Sequence, residues 1–260
     1  MTSFEGAGVV VTGGGGGIGA TLSRRFAAAG ARVVVADLNG DAAAEVAKEI
    51  DGTAFAGDVA SEEGVAALIE ASRAAVGEVD VFCANAGIAP FGGAEAPEEV
   101  WAKIWDVNVM AHVRAARLLL PGWLERGKGH FIATASAAGL LTTLGSAPYS
   151  VTKHGAVAFA EWLSATYRHR GLKVQAICPQ GVRTAMLDAT GPAGQLLMGA
   201  SAIEPDQVAD ALFAAIDEDR FLVLPHPEVG DYYANRATQT DRWLNGMNKL
   251  QRKVEALGES

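Results

Sequence analysis

A short apolar strand, a run of five glycines and an amphipathic helix follow one another within the first thirty residues. Gly8-Val9-Val10-Val11-Thr12 is a β-branched run with the composition of a buried strand. Residues 13–17 are all glycine, then come Ile18 and Gly19, then a segment that places Leu22 and Phe26 on one helical face before Gly30 closes it. In isolation such a glycine run fits a flexible linker. Clamped between a strand and a helix, it is a turn whose backbone can approach a ligand closely. The helix start offers free N–H groups and a positive dipole to phosphates, so the unit opens a dinucleotide-binding fold. The run fits two spacings, G-x-G-x-x-G through Gly14, Gly16 and Gly19, and T-G-x-x-x-G-x-G through Thr12, Gly13, Gly17 and Gly19.

The next strand, 32–36, ends at Asp37. An acid about 20 residues beyond the glycines can accept hydrogen bonds from the adenosine ribose hydroxyls. It also repels a 2′-phosphate, and no Lys or Arg stands in the glycine turn or directly after Asp37, so the expected cofactor is NAD rather than NADP. The competing reading is a helix cap or loop acid before Gly40 and Asp41.

Helical and strand patterns then alternate: helices at 42–50 and 62–76, strands at 53–56 and 79–84, a long helical stretch from 97 to about 125, a strand at 129–135, a helix from Pro148 to about 170, and a strand at 173–178. A helix at 204–217 and a last strand at 221–224 follow. This rhythm predicts an α/β fold, a doubly wound parallel sheet with helices on both faces. With no repeat, charge block or Pro-rich linker, residues 1–260 read as a single domain. In such sheets ligands bind outside the C-terminal strand ends. The glycine turn, Asp37, Asp58, Asn85-Ala86-Gly87, Ser136 and Pro179 all follow strands and converge there.

Half the residues are hydrophobic, yet no run reaches the roughly 20 apolar residues that span a membrane. The first eight residues enter the first strand without a charged-then-apolar leader. A net charge of −9 argues against nucleic acid as the main partner. Cys83 and Cys178 fall in apolar strand patterns without metal-type spacing, which suggests a reducing, cytoplasmic setting, with a disulfide or catalytic thiol as the minor alternative.

The chemistry lies with Tyr149 and Lys153, four residues apart on one helix, and with Ser136 upstream. A fixed ammonium eases ionisation of a nearby phenol, which turns a group with an ordinary pKa near ~10 into a proton donor and acceptor. A serine hydroxyl and a tyrosine are fixed donors suited to a developing alkoxide. Alone, the Tyr149–Lys153 pair would pass for an ordinary exposed helix pair; the dinucleotide unit gives it a purpose.

Taken together, Thr12-Gly13…Gly17-Ile18-Gly19, Asp58-Val59, Asn85-Ala86-Gly87, Asn108, Ser136, Tyr149-x-x-x-Lys153 and the run from Pro179 to Thr184 resemble the short-chain dehydrogenase/reductase family, the type of about 250 residues with one Rossmann-like domain. The resemblance implies Tyr149 as general acid/base, with Lys153 holding the nicotinamide ribose and lowering the tyrosine pKa. Ser136 would bind the substrate oxygen, and Asn108 would fix a water in a proton relay from Lys153. Asp58 and Val59 would flank adenine, Asn85, Ala86 and Gly87 would line the cofactor, and Pro179, Val182 and Thr184 would meet the nicotinamide end. One departure stands out: Gln180 occupies the place of the family's usual glycine, with Gly181 next, and this bears on the pocket rather than on the reaction class.

The reading is an NAD-dependent oxidoreductase interconverting a secondary alcohol and its ketone. Phe91, Ala138, Leu140, Leu141, Thr143, Met186, Leu187, Leu197 and Met198 line the expected pocket, with a lid at 185–203. Such apolar residues suit a hydrophobic, uncharged substrate. A 3-oxoacyl thioester reductase and a non-catalytic NAD-binding sensor or scaffold are the alternatives. At about 231–257 a helix carries Trp243, Met247, Leu250, Val254 and Leu257 at alternating steps of four and three. That stripe can pack on its own subunit or on a second one. The resemblance implies a homo-oligomer, a tetramer or dimer.

Overall fold

The computed structural model describes residues 3–191 and 198–258. Seven parallel strands form one sheet in the order β3-β2-β1-β4-β5-β6-β7. They are β1 (Gly8–Thr12), β2 (Arg32–Asp37), β3 (Thr53–Ala56), β4 (Val81–Ala84), β5 (Gly129–Thr134), β6 (Leu172–Ile177) and β7 (Leu222–Val223). The chain winds outward from β1 to β3, returns beside β1 as β4, and winds the other way. The strand order therefore reverses between β1 and β4, where a doubly wound sheet opens its crevice.

Burial explains the composition of the strands. Every residue of β1, β4 and β5 is buried, because helices cover both faces of the sheet. Side chains alternate between faces: Val9 and Val11 join Leu22, Phe26, Leu212 and Phe213 on one side, and Val10 joins Leu68, Phe82, Trp123 and Leu163 on the other. The first face is covered by α1 (Gly17–Ala28), α2 (Gly40–Glu49) and α8 (Pro205–Asp217). The second is covered by α3 (Glu62–Val76), α5 (Ala111–Arg126) and α6 (Ala147–Tyr167). On that face Trp123 donates its indole N–H to the Val79 carbonyl at 2.7 Å, which satisfies the polar atom of a large core side chain.

The helical stretch predicted from 97 to about 125 is present as α4 (Glu98–Trp105), a π-turn at Asp106–Met110, and then α5. Two expectations need correction. The segment expected as an irregular lid contains a short helix, α7 (Ala185–Asp188), and a 3₁₀ turn at Gly199–Ser201; Leu197 lies outside the described residues. The C-terminal helix expected at 231–257 is two helices, α9 (Glu228–Thr238) and α10 (Thr240–Gly258). Gln239 breaks them with φ −137° and ψ 50°, outside the helical region.

Candidate active site

Thr12, the last residue of β1, joins the two strands that flank the crevice. Its hydroxyl donates to the Cys83 carbonyl at 3.2 Å and accepts the N–H groups of Asn85 and Ala86, each at 3.0 Å. Asn85 returns its side-chain amide to the carbonyls of Thr12 and Gly13, at 3.0 and 3.3 Å. The glycine turn and the Asn85-Ala86-Gly87 turn are thereby one unit, although they are 70 residues apart in the chain.

Backbone dihedrals choose between the two glycine spacings. Gly13 and Gly17 have φ of 62° and 50°, a region open chiefly to glycine, whereas Gly14 and Gly16 do not. A Cβ on Gly19 would lie 2.0 Å from the Gly13 carbonyl oxygen, so that position is closed to any side chain. The spacing through Thr12, Gly13, Gly17 and Gly19 is the one the fold uses. Gly16 precedes α1 with no side-chain cap, which leaves the first N–H groups of the helix free, and a Cβ there would meet nothing within 4 Å. Ile18 turns inward and packs on the core.

Asp37 is already committed to this loop. One carboxylate oxygen accepts the Gly15 N–H and the other the Asn39 N–H, each at 2.9 Å. This combines the two sequence readings, since the acid shapes both the glycine turn and the loop before α2, and a carboxylate keeps lone pairs for hydroxyl donors. Asp58 accepts the Ala60 N–H at 2.9 Å in an Asx turn, and Val59 packs into the core beside it.

Ser136, Tyr149 and Lys153 come together from the end of β5 and the first turns of α6. Ser146 caps α6 by accepting the Tyr149 N–H at 3.2 Å, and Pro148 sits in the first turn. The Ser136 hydroxyl accepts the Ala138 N–H at 3.1 Å, donates to the Pro179 carbonyl at 3.4 Å, and faces the phenol of Tyr149. Lys153 is 3% exposed, lies 5.5 Å from the Tyr149 ring centroid, and donates to the Thr134 carbonyl at 2.9 Å.

The electrostatics of this cluster differ from expectation. Burial is the main influence on both groups: it raises the Tyr149 phenol above its ordinary value and lowers the Lys153 ammonium to about 8. The Ser136 hydroxyl, as a donor to the ionised form, pulls the phenol back down, and the buried Cys178 beside it, its thiol itself pushed up to about 12, opposes this. The expected lowering of the tyrosine by Lys153 is not what governs the phenol here. Tyr149 is half-buried as a residue, but the phenol end lies deep in protein.

Asn108 sits in the π-turn, fully buried, with both ends of its amide engaged. Its oxygen accepts the Ile88 N–H at 3.0 Å, and its nitrogen donates to the Ile88 carbonyl at 3.0 Å and to Thr152 at 3.2 Å. It braces the turn after β4 against α6. A Cβ on Gly87 would lie 3.3 Å from the Asn108 oxygen and 3.4 Å from the Lys153 nitrogen, so these groups share one small space.

Beyond β6, Pro179 offers its carbonyl to the Ala137 N–H at 2.8 Å. The Gln180 N–H donates to Nδ1 of His226, whose Nε2 lies 3.1 Å from the Ser201 carbonyl. These two partners set the neutral tautomer with the proton on Nε2. His226 is a 3% exposed brace beneath the altered Pro-Gln-Gly turn. Val182 pairs with Ile203, which ties the segment before α8 to the chain just beyond β6. Thr184 lies over the glycine turn, its methyl 2.9 Å from where a Cβ on Gly17 would stand.

Of the expected pocket residues, Phe91 (57% exposed) is carried to the start of α6, because its neighbour Gly92 bridges Ser146 and Ser146 bonds the Pro90 carbonyl at 2.6 Å. Thr143 is held there too, through Ser150 at 3.1 Å. Within α7 Met186 is exposed and Leu187 is buried. Ala138 is buried beside Ser136, whereas Leu140 belongs to a core cluster with Val157 and Val229, and Leu141 packs against it. Leu140 is therefore core rather than pocket wall.

The profile of the short chain dehydrogenase family matches residues 7–194. This chain belongs to that family. As a short-chain dehydrogenase it is an oxidoreductase with a seven-stranded Rossmann-like sheet. It is 38% identical over 229 residues to a 1-deoxy-11-beta-hydroxypentalenate dehydrogenase of Streptomyces exfoliatus, covering 84% of this chain and 82% of the relative. It is 36% identical over 192 residues to a 2,5-dichloro-2,5-cyclohexadiene-1,4-diol dehydrogenase of Sphingobium indicum, covering 72% and 77%. A short-chain dehydrogenase/reductase of Burkholderia phymatum, solved in complex with NAD, superposes with a TM-score of 0.85 at 28% identity, over 93% of this chain and 96% of that one. Among the described residues no helix of this short-chain dehydrogenase is long and apolar enough to cross a membrane, and no group of three or more His, Cys, Asp or Glu is placed to hold a metal.

Proposed function

We propose that this chain interconverts a hydrophobic secondary alcohol and its ketone with NAD as cofactor. The observation that carries this reading is buried Lys153, bonded to the end of β5 and 5.5 Å from the Tyr149 ring, with buried Ser136 beside them and an uncapped helix start at the same end of the sheet. The residues present suit a dinucleotide. Free N–H groups of α1 and the side-chain-free space at Gly16 accept a pyrophosphate, and Asp37 disfavours a 2′-phosphate. Bound there, the nicotinamide ring supplies the hydride acceptor or donor.

The chain's own groups do the rest. Ser136 and Tyr149 hold the substrate oxygen and stabilise negative charge on it. Tyr149 takes the hydroxyl proton in oxidation and returns it in reduction. Its raised pKa keeps the phenol protonated in the cofactor-free protein, ready as a donor. Lys153, held by the Thr134 carbonyl, keeps donors for a ribose hydroxyl. Asn108 fixes the geometry between the Gly87 turn and α6, close enough to Lys153 to serve a proton relay through water.

The substrate class follows from the rim. Phe91, Ala138, Thr143 and Met186 carry no charge, and the nearby cation Arg183 is paired with Glu204 at 3.1 Å. A hydrophobic, uncharged alcohol fits this lining better than a phosphate or a coenzyme A ester. The dehydrogenases of Streptomyces and Sphingobium, named for a hydroxypentalenate and a cyclohexadienediol, agree with a cyclic secondary alcohol. The test is NAD reduction against a panel of cyclic secondary alcohols, with NADP and with an acyl thioester plus NADPH in parallel. Turnover with NAD that is lost in Tyr149→Phe while NAD affinity persists supports the reading. Equal kcat/KM for NAD and NADP removes the role of Asp37. Turnover confined to the thioester replaces the substrate class, and no turnover with intact NAD binding marks a sensor.

A further inference from the structure

We infer, on the reading that Ser136 meets the substrate oxygen, that His226 is a positioning residue: it sets the Pro179–Gln180 peptide and, through it, the Ser136 hydroxyl. One planar, trans peptide unit links the two residues. Its N–H, from Gln180, donates to Nδ1 of His226 at 3.1 Å. Its carbonyl, from Pro179, accepts the Ala137 N–H at 2.8 Å and the Ser136 hydroxyl at 3.4 Å. The N–H and C=O of a trans peptide point in opposite directions, so an acceptor fixed on one side aims the carbonyl on the other. Rotation of that plane would displace the group on which the Ser136 hydroxyl rests.

His226 is built to hold still. Pro225 and Pro227 flank it, which fixes φ on both sides and restricts His226 itself to extended backbone. Its Nε2 lies 3.1 Å from the Ser201 carbonyl, and its own carbonyl accepts the Val229 N–H at 3.1 Å as α9 begins. Val229 is fully buried in a cluster with Ala135, Ala137 and Cys178, the residues around Ser136 and before Pro179. The Cys178 N–H donates to the Val223 carbonyl at 2.9 Å, so the chain leading to His226 and the chain leading to Gln180 are in register. A side chain supported in this way can fix a partner's geometry.

The departure at Gln180 fits this role. A glycine there would leave the peptide wide rotational freedom, and a side chain narrows it. The side-chain-free position is needed one residue later: a Cβ on Gly181 would lie 2.8 Å from the Met198 carbonyl oxygen and 2.9 Å from the Met198 Cβ. The turn is thus held by His226 at one residue and by Met198 at the next. The Ser136 bond to Pro179 is long, and Ala137 keeps that carbonyl satisfied when the hydroxyl turns to a substrate oxygen. A fixed carbonyl leaves the hydroxyl one preset alternative, which is the preorganisation that stabilises charge on a reacting oxygen.

The experiment compares the full chain with its variants His226→Leu, His226→Gln and His226→Asn. Asparagine places an oxygen where Nδ1 stands and keeps the acceptor for Gln180; glutamine reaches the Nε2 position, keeps a donor for Ser201 and loses that acceptor. The first readout needs neither cofactor nor turnover: amide exchange at Gln180 and Ala137, followed by NMR. Exchange at both should be at least about tenfold faster in the Leu and Gln variants and near wild type in the Asn variant, with Val10 and Ile132 unchanged. The second readout is kcat for NAD reduction with cyclohexanol and borneol, beside the NAD Kd from tryptophan fluorescence. The Leu and Gln variants should lower kcat at least about tenfold at unchanged Kd, and the Asn variant should restore it. In a Ser136→Ala background, His226→Leu should change the residual kcat by less than about twofold, because the group it acts through is gone.

Equal losses in the Asn and Gln variants overturn the proposal, as does a full loss that persists without Ser136. So does unchanged exchange at Ala137 in His226→Leu. If the wild type oxidises neither alcohol nor any other of the panel, the reading of the site falls, and amide exchange still decides whether His226 holds this peptide.

Discussion

Lys153 donates a 2.9 Å hydrogen bond to the carbonyl of Thr134, two residues before Ser136. That bond ties α6, the helix of Tyr149 and Lys153, to the end of β5 just before Ser136. It also holds an ammonium where burial lowers its pKa to about 8.

Keeping that ammonium charged at neutral pH costs about 3 kcal/mol, from roughly 1.4 kcal/mol per pKa unit. Lys153→Met removes the cost and forfeits one hydrogen bond worth about 1–3 kcal/mol. The expected outcome at pH 7 is a melting temperature equal to or above wild type, with kcat lowered at least about a hundredfold. The wild type also gains stability as pH rises from about 8 toward 10.5, because the unfolded chain then holds a proton that the folded one has released. The variant should lack that rise in denaturant titrations.

The glycine turn separates two substitutions of the same kind. Gly19→Ala forces a methyl to 2.0 Å from the Gly13 oxygen and should destabilise by about 3 kcal/mol or more, or prevent folding. Gly16→Ala meets nothing within 4 Å, at an extended φ of −162°, and should melt within a few degrees of wild type. Equal destabilisation of both would contradict the spacing assigned to the turn.

Asp37→Ala strips acceptors from the Gly15 and Asn39 N–H groups. A stability loss of about 1–2 kcal/mol is expected. The ratio of kcat/KM for NAD over NADP should fall at least about tenfold, because the repulsion of a 2′-phosphate is gone. Steady-state kinetics with both cofactors measure it.

His112 is 1% exposed, its ring edge on Phe131, and neither nitrogen has a partner among the described residues. Burial, aided by the positive Lys153, lowers its pKa to about 3. Below about pH 6.5 the unfolded chain takes up a proton that the folded one refuses, so stability falls as pH drops, until about pH 3. His130, lowered to about 4, acts in the same sense. His112→Leu should hold or raise stability at pH 7 and flatten the acid-side slope by about one proton. A slope unchanged from wild type in chemical denaturation between pH 5 and 7 would refute this.

Much of this protein is legible in its sequence because the relevant signals are local. Valine runs buried on both faces, helices of period 3.6, and acids and glycines placed just after strands specify a doubly wound sheet and its ligand-bearing edge. Tyr149 and Lys153 fall on one helix face by spacing alone. Other features depend on segments far apart in the chain. Residue types permitted either glycine register, and contact among the Gly13 carbonyl, Asn85 and Thr184 decided it. Asn108 reads as a poor helix residue until the π-turn aims it at Ile88 and Thr152. No local pattern marks His226 as the support of Gln180, 46 residues away.

Sequence by itself determined the elements, their order and the shared helix face of Tyr149 and Lys153, since periodicity and backbone freedom are properties of short segments. Only the tertiary structure decided how strongly burial weighs on the phenol and the ammonium. Desolvation depends on what surrounds a group in space, and neighbours in the chain do not specify that.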